Sequence, residues 1–379
     1  MTRPDIVRVL FATHSDKKGG AEQSLIHLIN YLDPARHKVF LLCPADTSFL
    51  NEIRVPFEHV PIKLDSVKTK LGWRYLANVW KIGVFVRSRG IDIVHANGWR
   101  APWFAGPLRL LTSAKLIWHN RDHHESGMYT KVLPVLFDRV ICISRFVQRS
   151  LHSGRTSVVY NGVDRLTEVT KTRTFMEDGV LLLGMFGRIV EWKRYDYAIE
   201  ALHHLGARGI RNCRLLIVGD TAVDGSASYY EELRRKVEAY GLAEQVVFYG
   251  YTDRPVELMS KCDITINFSR NEPFGRVIIE SMLAQTPVIV SDSGGAPEIV
   301  ELTGGGLVVE DGNAEQLAAC IERWINGQVP HRELAEQGHR NVLEHCDMRG
   351  VARQVEDIYE QLLGVGAQKQ LVHEARDQA

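Results

Sequence analysis

The chain has 379 residues, 46 Lys+Arg against 46 Asp+Glu, 45% hydrophobic and 24% charged residues, the composition of an ordinary globular protein of about two domains. No stretch reaches the ~18 uninterrupted apolar residues of a membrane span, and the polar start Met1-Thr2-Arg3-Pro4-Asp5 is not that of a secretory signal. The six scattered cysteines (Cys43, Cys142, Cys213, Cys262, Cys320, Cys346) lack metal-ligand spacing and disulfide-scaffold density, so they are expected to be reduced core residues of a cytoplasmic protein.

Overall neutrality hides a split. Residues 1–168 carry 24 Lys+Arg against 14 Asp+Glu, net +10, and residues 169–379 carry 22 against 32, net −10. Such asymmetry predicts two domains with different partners, the basic one facing an anionic surface or acceptor. No Lys/Arg run with interleaved aromatics marks a nucleic-acid site.

In chain order, strands are predicted at 6–13, 37–43, 91–96, 115–119, 139–144 and 157–160, then at 180–187, 213–219, 245–249, 264–268, 287–291 and 306–310. Short apolar runs separated by helix-length amphipathic stretches imply an α/β protein with parallel sheets covered on both faces. The expected domains are 1–168 and 169–363, the last helix crossing back to the first domain, with a polar tail at 364–379. The stretch 64–89 sets Leu71, Leu76, Val79, Trp80, Ile82, Val84, Phe85 and Val86 among Lys63, Lys68, Lys70, Arg74, Lys81, Arg87 and Arg89. It reads either as a basic amphipathic helix lying on a membrane or as an ordinary helix packing one face on the sheet.

Open α/β sheets take ligands beyond the carboxyl ends of their strands, and the informative residues fall there. Gly19-Gly20 opens the helix after the first strand, His119 closes the fourth, and Ser144 and Asn161-Gly162 follow two more. In the second half Arg188 leaves one strand and Lys193 begins the next helix, a pairing suited to a diphosphate. Glu272 sits in the loop Asn271-Glu272-Pro273-Phe274-Gly275, and Glu280 is expected about two turns into the following helix. Two carboxylates flanking a loop-to-helix junction suit a ligand with hydroxyls on both sides of a phosphate. Gly294-Gly295 is expected to open a further helix, and Gly304-Gly305-Gly306 to be a tight turn. His119, His123 and His124 raise a metal as an alternative, although no H-E-x-x-H spacing is present.

Taken together, Gly19-Gly20-Ala21-Glu22, Asp92-Ile93-Val94-His95, Val140-Ile141-Cys142-Ile143-Ser144, Tyr160-Asn161-Gly162-Val163-Asp164, Gly187-Arg188 with Lys193, the Glu272/Glu280 pair and Ser293-Gly294-Gly295-Ala296-Pro297-Glu298 resemble the retaining, nucleotide-sugar-dependent glycosyltransferases of family 4 (group 1). The resemblance covers nearly the whole chain and implies the GT-B fold, two Rossmann-like domains with parallel sheets facing across a cleft. It implies that Arg188 and Lys193 bind the donor diphosphate, Glu280 the ribose hydroxyls, and Glu272 the transferred sugar. Backbone from Phe274 through Gly275, Arg276 and Val277 to Ile278 would add N–H donors, and Gly19 and Gly20 would let the first loop approach the diphosphate. His119 would stand beside the reacting sugar and Tyr251 near the base.

The activity implied is transfer of a hexose from a UDP- or GDP-sugar to an acceptor hydroxyl with retention and without a metal or other cofactor. The acceptor is expected to be a growing cell-surface polysaccharide or lipid-linked glycan, met by loops near Lys17, Trp99, Arg100, Arg121 and His123 at the inner face of the membrane. The alternatives are a small-molecule acceptor, a nucleotide-sugar epimerase of the same fold, and a non-catalytic partner subunit. The last would have degraded phosphate ligands.

Overall fold

The computed structural model describes residues 6–65, 72–221 and 226–364. Seven strands form the first sheet: β1 (Val7–Ala12), β2 (His37–Cys43), β3 (Phe57–Pro61), β4 (Ile93–Asn97), β5 (Lys115–Asn120), β6 (Arg139–Cys142) and β7 (Thr156–Val158). Their order is β3-β2-β1-β4-β5-β6-β7. Six form the second: β8 (Leu181–Phe186), β9 (Cys213–Val218), β10 (Val246–Gly250), β11 (Ile264–Asn267), β12 (Val288–Ser291) and β13 (Gly306–Val309), in the order β10-β9-β8-β11-β12-β13. The strands of both sheets pair in parallel. Parallel strands need helical crossovers, which cover both faces and explain why β1 (VRVLFA) and β8 (LLLGMF) are near-continuous apolar runs.

β3 escapes the apolar pattern. Phe57-Glu58-His59-Val60-Pro61 is an edge strand with only Val60 buried, so alternation and burial leave little signal in it.

The chain divides into two compact units, one made of residues 1–162 with 348–379, the other of 163–347. The division comes before the expected 168/169 because Val163 bridges to Asp347 and its N–H donates to the Cys346 carbonyl at 2.8 Å. The helix Met348–Leu363 belongs to the first unit. Its buried Met348, Val351, Ala352, Val355, Ile358 and Tyr359 recur at helical spacing and join the core formed by the helix Gly20–Tyr31 and strands β1, β2 and β4. Apart from Gly364, the polar tail lies outside the described residues.

In each sheet the strand order reverses once, between β1 and β4 and between β8 and β11. Loops leaving the carboxyl ends of those neighbours diverge, which opens a place for a ligand in each unit. All six cysteines are buried and free. Among the described residues no helix is long and apolar enough to cross a membrane.

Candidate functional site

Three neighbouring strands of the second unit, β8, β11 and β12, carry at their ends the segments on which the predicted charged residues lie. After β8 the chain turns at Gly187 (φ 129°), whose carbonyl accepts a 2.8 Å hydrogen bond from the Tyr195 hydroxyl. A Cβ on Gly219 would stand 1.8 Å from that same carbonyl oxygen, so glycine is required there for the turn to close. Burial pushes the Tyr195 phenol up, and it stays a donor. The short helical turn Glu191–Lys193 follows and is tied to the next loop by the Arg270 N–H, which donates to the Trp192 carbonyl at 2.8 Å.

The loop after β11 is clamped from the other side. The Asn271 N–H donates to Ser293 Oγ at 2.9 Å, and the Gly295 N–H donates to the Glu272 carbonyl at 2.7 Å. Gly294 holds φ 73°, and a Cβ there would lie 2.4 Å from the Glu272 backbone N and O. Ser293-Gly294-Gly295 therefore fixes the Glu272 backbone while opening the helix Ala296–Thr303, as its sequence suggested.

Within this frame Lys193 Nζ meets Glu272 Oε2 at 2.5 Å, with both side chains largely buried. Lys193 also lies 4.5 Å over the Trp192 ring. The two residues that the sequence assigned to different parts of a ligand are thus each other's partners. Glu280 is likewise engaged, pairing with Arg276 at 2.7 Å one turn back. The helix Arg276–Leu283 starts at Arg276, which places Glu280 just over one turn from its N-terminus, not two. Gly275 caps it with φ 85°, and the Ile278 N–H already donates to the Gly275 carbonyl at 2.9 Å, so that group is not open to a ligand. Phe274 and Ile278 turn their side chains into the core, and Val277 is half-buried. Arg188, by contrast, is exposed and has no ion-pair partner among the described residues. Tyr251 is also exposed, just beyond Gly250 at the end of the edge strand β10.

In the first unit the strand ends carry a buried polar chain, much of it unforeseen. His119 is 2% exposed, and its Nδ1 lies 3.0 Å from Nε2 of His95. The other nitrogen of His95 lies 2.7 Å from the Tyr359 hydroxyl. The sequence places Arg121 on an acceptor loop. It is instead buried, with Nε on Asn97 Oδ1 and a terminal nitrogen on Asn161 Oδ1, both at 2.6 Å. Burial first, and the Arg121 charge second, lower the His95 pKa to about 3 and push His119 well below its usual value.

Glu22 folds back over the first loop, accepting from Thr13 Oγ1 at 3.1 Å and from the Gly19 N–H at 3.3 Å. Gly19 has φ −118°, so its glycine serves close approach and not a left-handed turn; a Cβ would stand 3.1 Å from Glu22 Oε2. Gly20 begins the helix Gly20–Tyr31, and Ser144 caps Arg145–Arg149 by accepting from the Val147 N–H.

His123 stacks on Phe146 and His124 on Tyr129. Among the described residues no three His, Cys, Asp or Glu side chains group to hold a metal. Arg100 stacks on Trp99 at 4.7 Å, and Lys17 is exposed. On the helix Trp73–Arg89, Val79, Ile82 and Val86 face the core, while Trp73, Leu76, Trp80 and Val84 are 77%, 65%, 59% and 43% exposed beside exposed Arg74, Lys81 and Arg87. Lys68, Lys70 and Leu71 lie outside the described residues.

Residues 18–165 match the family Glycosyltransferase Family 4, and residues 169–341 match Glycosyl transferases group 1. The uncharacterized glycosyltransferase MJ1178 of Methanocaldococcus jannaschii is 27% identical over 329 residues, 83% of this chain and 87% of that protein. The lipopolysaccharide core biosynthesis mannosyltransferase LpcC of Rhizobium leguminosarum bv. viciae is 26% identical over 305 residues, 78% and 84% of the two chains. Among solved structures, Anabaena Alr3699/HepE in complex with UDP and glucose matches with a TM-score of 0.77 at 25% identity, covering 93% of this chain and 99% of that one.

Proposed function

We propose, because the chain belongs to the family 4 (group 1) glycosyltransferases and has their GT-B fold, that it moves a hexose from a nucleotide diphosphate sugar to an acceptor hydroxyl with retention of anomeric configuration. The observation that carries this reading is the buried Lys193–Glu272 pair, held at the ends of β8 and β11 by turns in which glycine is required.

When the donor enters, its diphosphate takes over Lys193, and the exposed Arg188 supplies a bidentate fork. Released from Lys193, Glu272 hydrogen-bonds the sugar hydroxyls and stabilises positive charge as the diphosphate departs. Glu280 exchanges Arg276 for the ribose hydroxyls. The N–H groups that open the helix Arg276–Leu283 add partial positive charge. His119 is assigned to the reacting sugar and Tyr251 to the neighbourhood of the base. The departing phosphate oxygen accepts the acceptor's proton on the same face, so catalysis is mainly preorganised electrostatics and needs no metal.

Alr3699/HepE binds UDP and glucose, which makes a UDP-sugar the first donor to try and a GDP-sugar the second. Relatives in lipopolysaccharide core biosynthesis favour a lipid-linked or cell-surface glycan acceptor. The stripe Trp73, Leu76, Trp80 and Val84 among cations suits contact with an anionic inner membrane face from the cytoplasm. Sedimentation with phosphatidylglycerol vesicles checks that contact: Trp73→Ser with Trp80→Ser should abolish co-sedimentation at unchanged Tm, and unchanged co-sedimentation removes the membrane from the proposal.

A thermal-shift screen of UDP-, GDP- and ADP-sugars tests the donor reading, since a donor at 100 Kd stabilises by about 2.7 kcal/mol. No shift with any of them contradicts it. NMR of the product's anomeric proton tests retention.

A further inference from the structure

The buried chain under the first unit's strand ends has a direction, favoured by Arg121 at one end and by Tyr359 at the other. A guanidinium can only donate. Arg121 points a terminal nitrogen at His119 Nδ1 from 3.4 Å, a long contact, but one whose charge also opposes a proton on that atom. His119 Nδ1 therefore presents its lone pair. The group 3.0 Å away on its other side, His95 Nε2, must then be the donor. His95 is neutral in this enclosure, so with its proton on Nε2 its Nδ1 is bare and accepts from the Tyr359 hydroxyl at 2.7 Å. Burial raises the Tyr359 phenol well above its usual pKa, which keeps it protonated to donate. Three residues thus agree on one orientation, Tyr359 to His95 to His119.

The end of the chain follows by elimination. His119 is neutral and bare at Nδ1, so its proton is on Nε2. That nitrogen is buried and has no hydrogen-bond partner among the described residues. A buried donor without an acceptor is costly, so a ligand acceptor would account for it. Tyr359 reaches His95 across 264 residues of sequence because the helix Met348–Leu363 packs into the first unit.

We propose that Tyr359 and His95 are positioning residues that hold His119 as its Nε2–H tautomer, a donor kept for an oxygen of the transferred sugar. The ligand oxygen rests on the assignment of His119 made above; the tautomer does not. The arrangement also has a chemical consequence. With Nε2 protonated and Nδ1 occupied, His119 cannot take the acceptor's proton, which leaves that step to the departing phosphate.

Full-length protein labelled with ¹⁵N-histidine is the sample, and His119→Gln assigns the signal. At pH 7, long-range ¹H–¹⁵N correlations should show His119 neutral and protonated at Nε2. A His119 protonated at Nδ1, or doubly protonated, overturns the proposal whatever the activity. Tyr359→Phe should mix the His119 tautomers and lower kcat about tenfold, leaving the affinity for UDP within twofold. A structural defect alone would weaken UDP binding and kcat together, and that outcome, or an unchanged tautomer with unchanged kcat, counts against the relay. If Tyr359→Phe does not fold, the wild-type spectrum still decides. Absence of turnover with every nucleotide sugar, with the Nε2–H tautomer in place, would remove the glycosyl-transfer reading and leave the relay standing.

Discussion

The two units handle polarity in opposite ways at their strand ends. In the second, formal charges are brought into the protein and neutralise one another: Lys193 with Glu272, Arg276 with Glu280, and Arg194 with Asp311. In the first, His95 and His119 are kept neutral, and Arg121 is held partly by the amide oxygens of Asn97 and Asn161. Paired charges can be exchanged for those of an ionic ligand, whereas a neutral chain can orient hydrogen bonds but cannot compensate a diphosphate. On this account the second unit supplies charge and the first supplies direction. In the proposed reaction, then, a diphosphate gains Lys193 by displacing the Glu272 carboxylate and not water.

The largest difference between the units should appear at Glu272. Glu272→Gln keeps size and hydrogen bonding but removes the charge. It should lower kcat about 100-fold or more, on the scale of about 2.7–4 kcal/mol typical for one preorganised group. Glu280→Gln, remote from the reacting centre, should instead raise the donor KM about tenfold at near-normal kcat. Steady-state kinetics distinguish them, and reversed effects would reverse the donor's direction in the site.

Two cations of the second unit should behave differently from each other. Lys193→Met leaves a buried carboxylate unpaired and should cost about 3 kcal/mol of stability in addition to donor affinity. Glu272→Gln in the same chain should restore most of that stability but none of the affinity. Arg188→Ala, at an exposed position, should change stability by less than about 0.5 kcal/mol while weakening UDP binding about tenfold. Arg188→Lys should restore only part of it. Chemical denaturation and calorimetry on the same samples check both.

The smallest effect lies in the first unit. Burial holds His14 and His124 at about 4 and His95 at about 3, below the usual 6.5. The unfolded chain therefore binds more protons than the native one between about pH 6.5 and pH 3–4. Stability is fully present above about 6.5 and falls as the pH drops through that window. Tm should decline steadily from pH 7 to pH 5, and less steeply in His14→Phe.

Much of the fold was legible because buried parallel strands write themselves as apolar runs, as in β1, β8 and β12; the half-buried edge strand β3 does not. The charged residues at the strand ends were also visible, since Arg188, Lys193, Glu272 and Glu280 follow apolar runs or glycine turns at characteristic spacing. Their pairings with one another and with Arg276 were not. Lys193 and Glu272 are 79 residues apart and meet only because β8 and β11 are neighbours in the sheet. Arg121 looked like a loop cation because its burial depends on Asn97 and Asn161, on other strands' ends. Tyr359, in an amphipathic helix, reads as one more core aromatic until its hydroxyl is seen against His95.

Whether Lys193 holds the donor diphosphate without a metal can be read by calorimetric titration of UDP into the wild-type protein and Lys193→Ala, both in EDTA. The wild type should bind without metal, and the variant about 10- to 100-fold more weakly, as loss of a charge-assisted contact of about 1.5–3 kcal/mol requires. Binding that appears only when Mg²⁺ or Mn²⁺ is added, or that is equal in the two proteins, would contradict this.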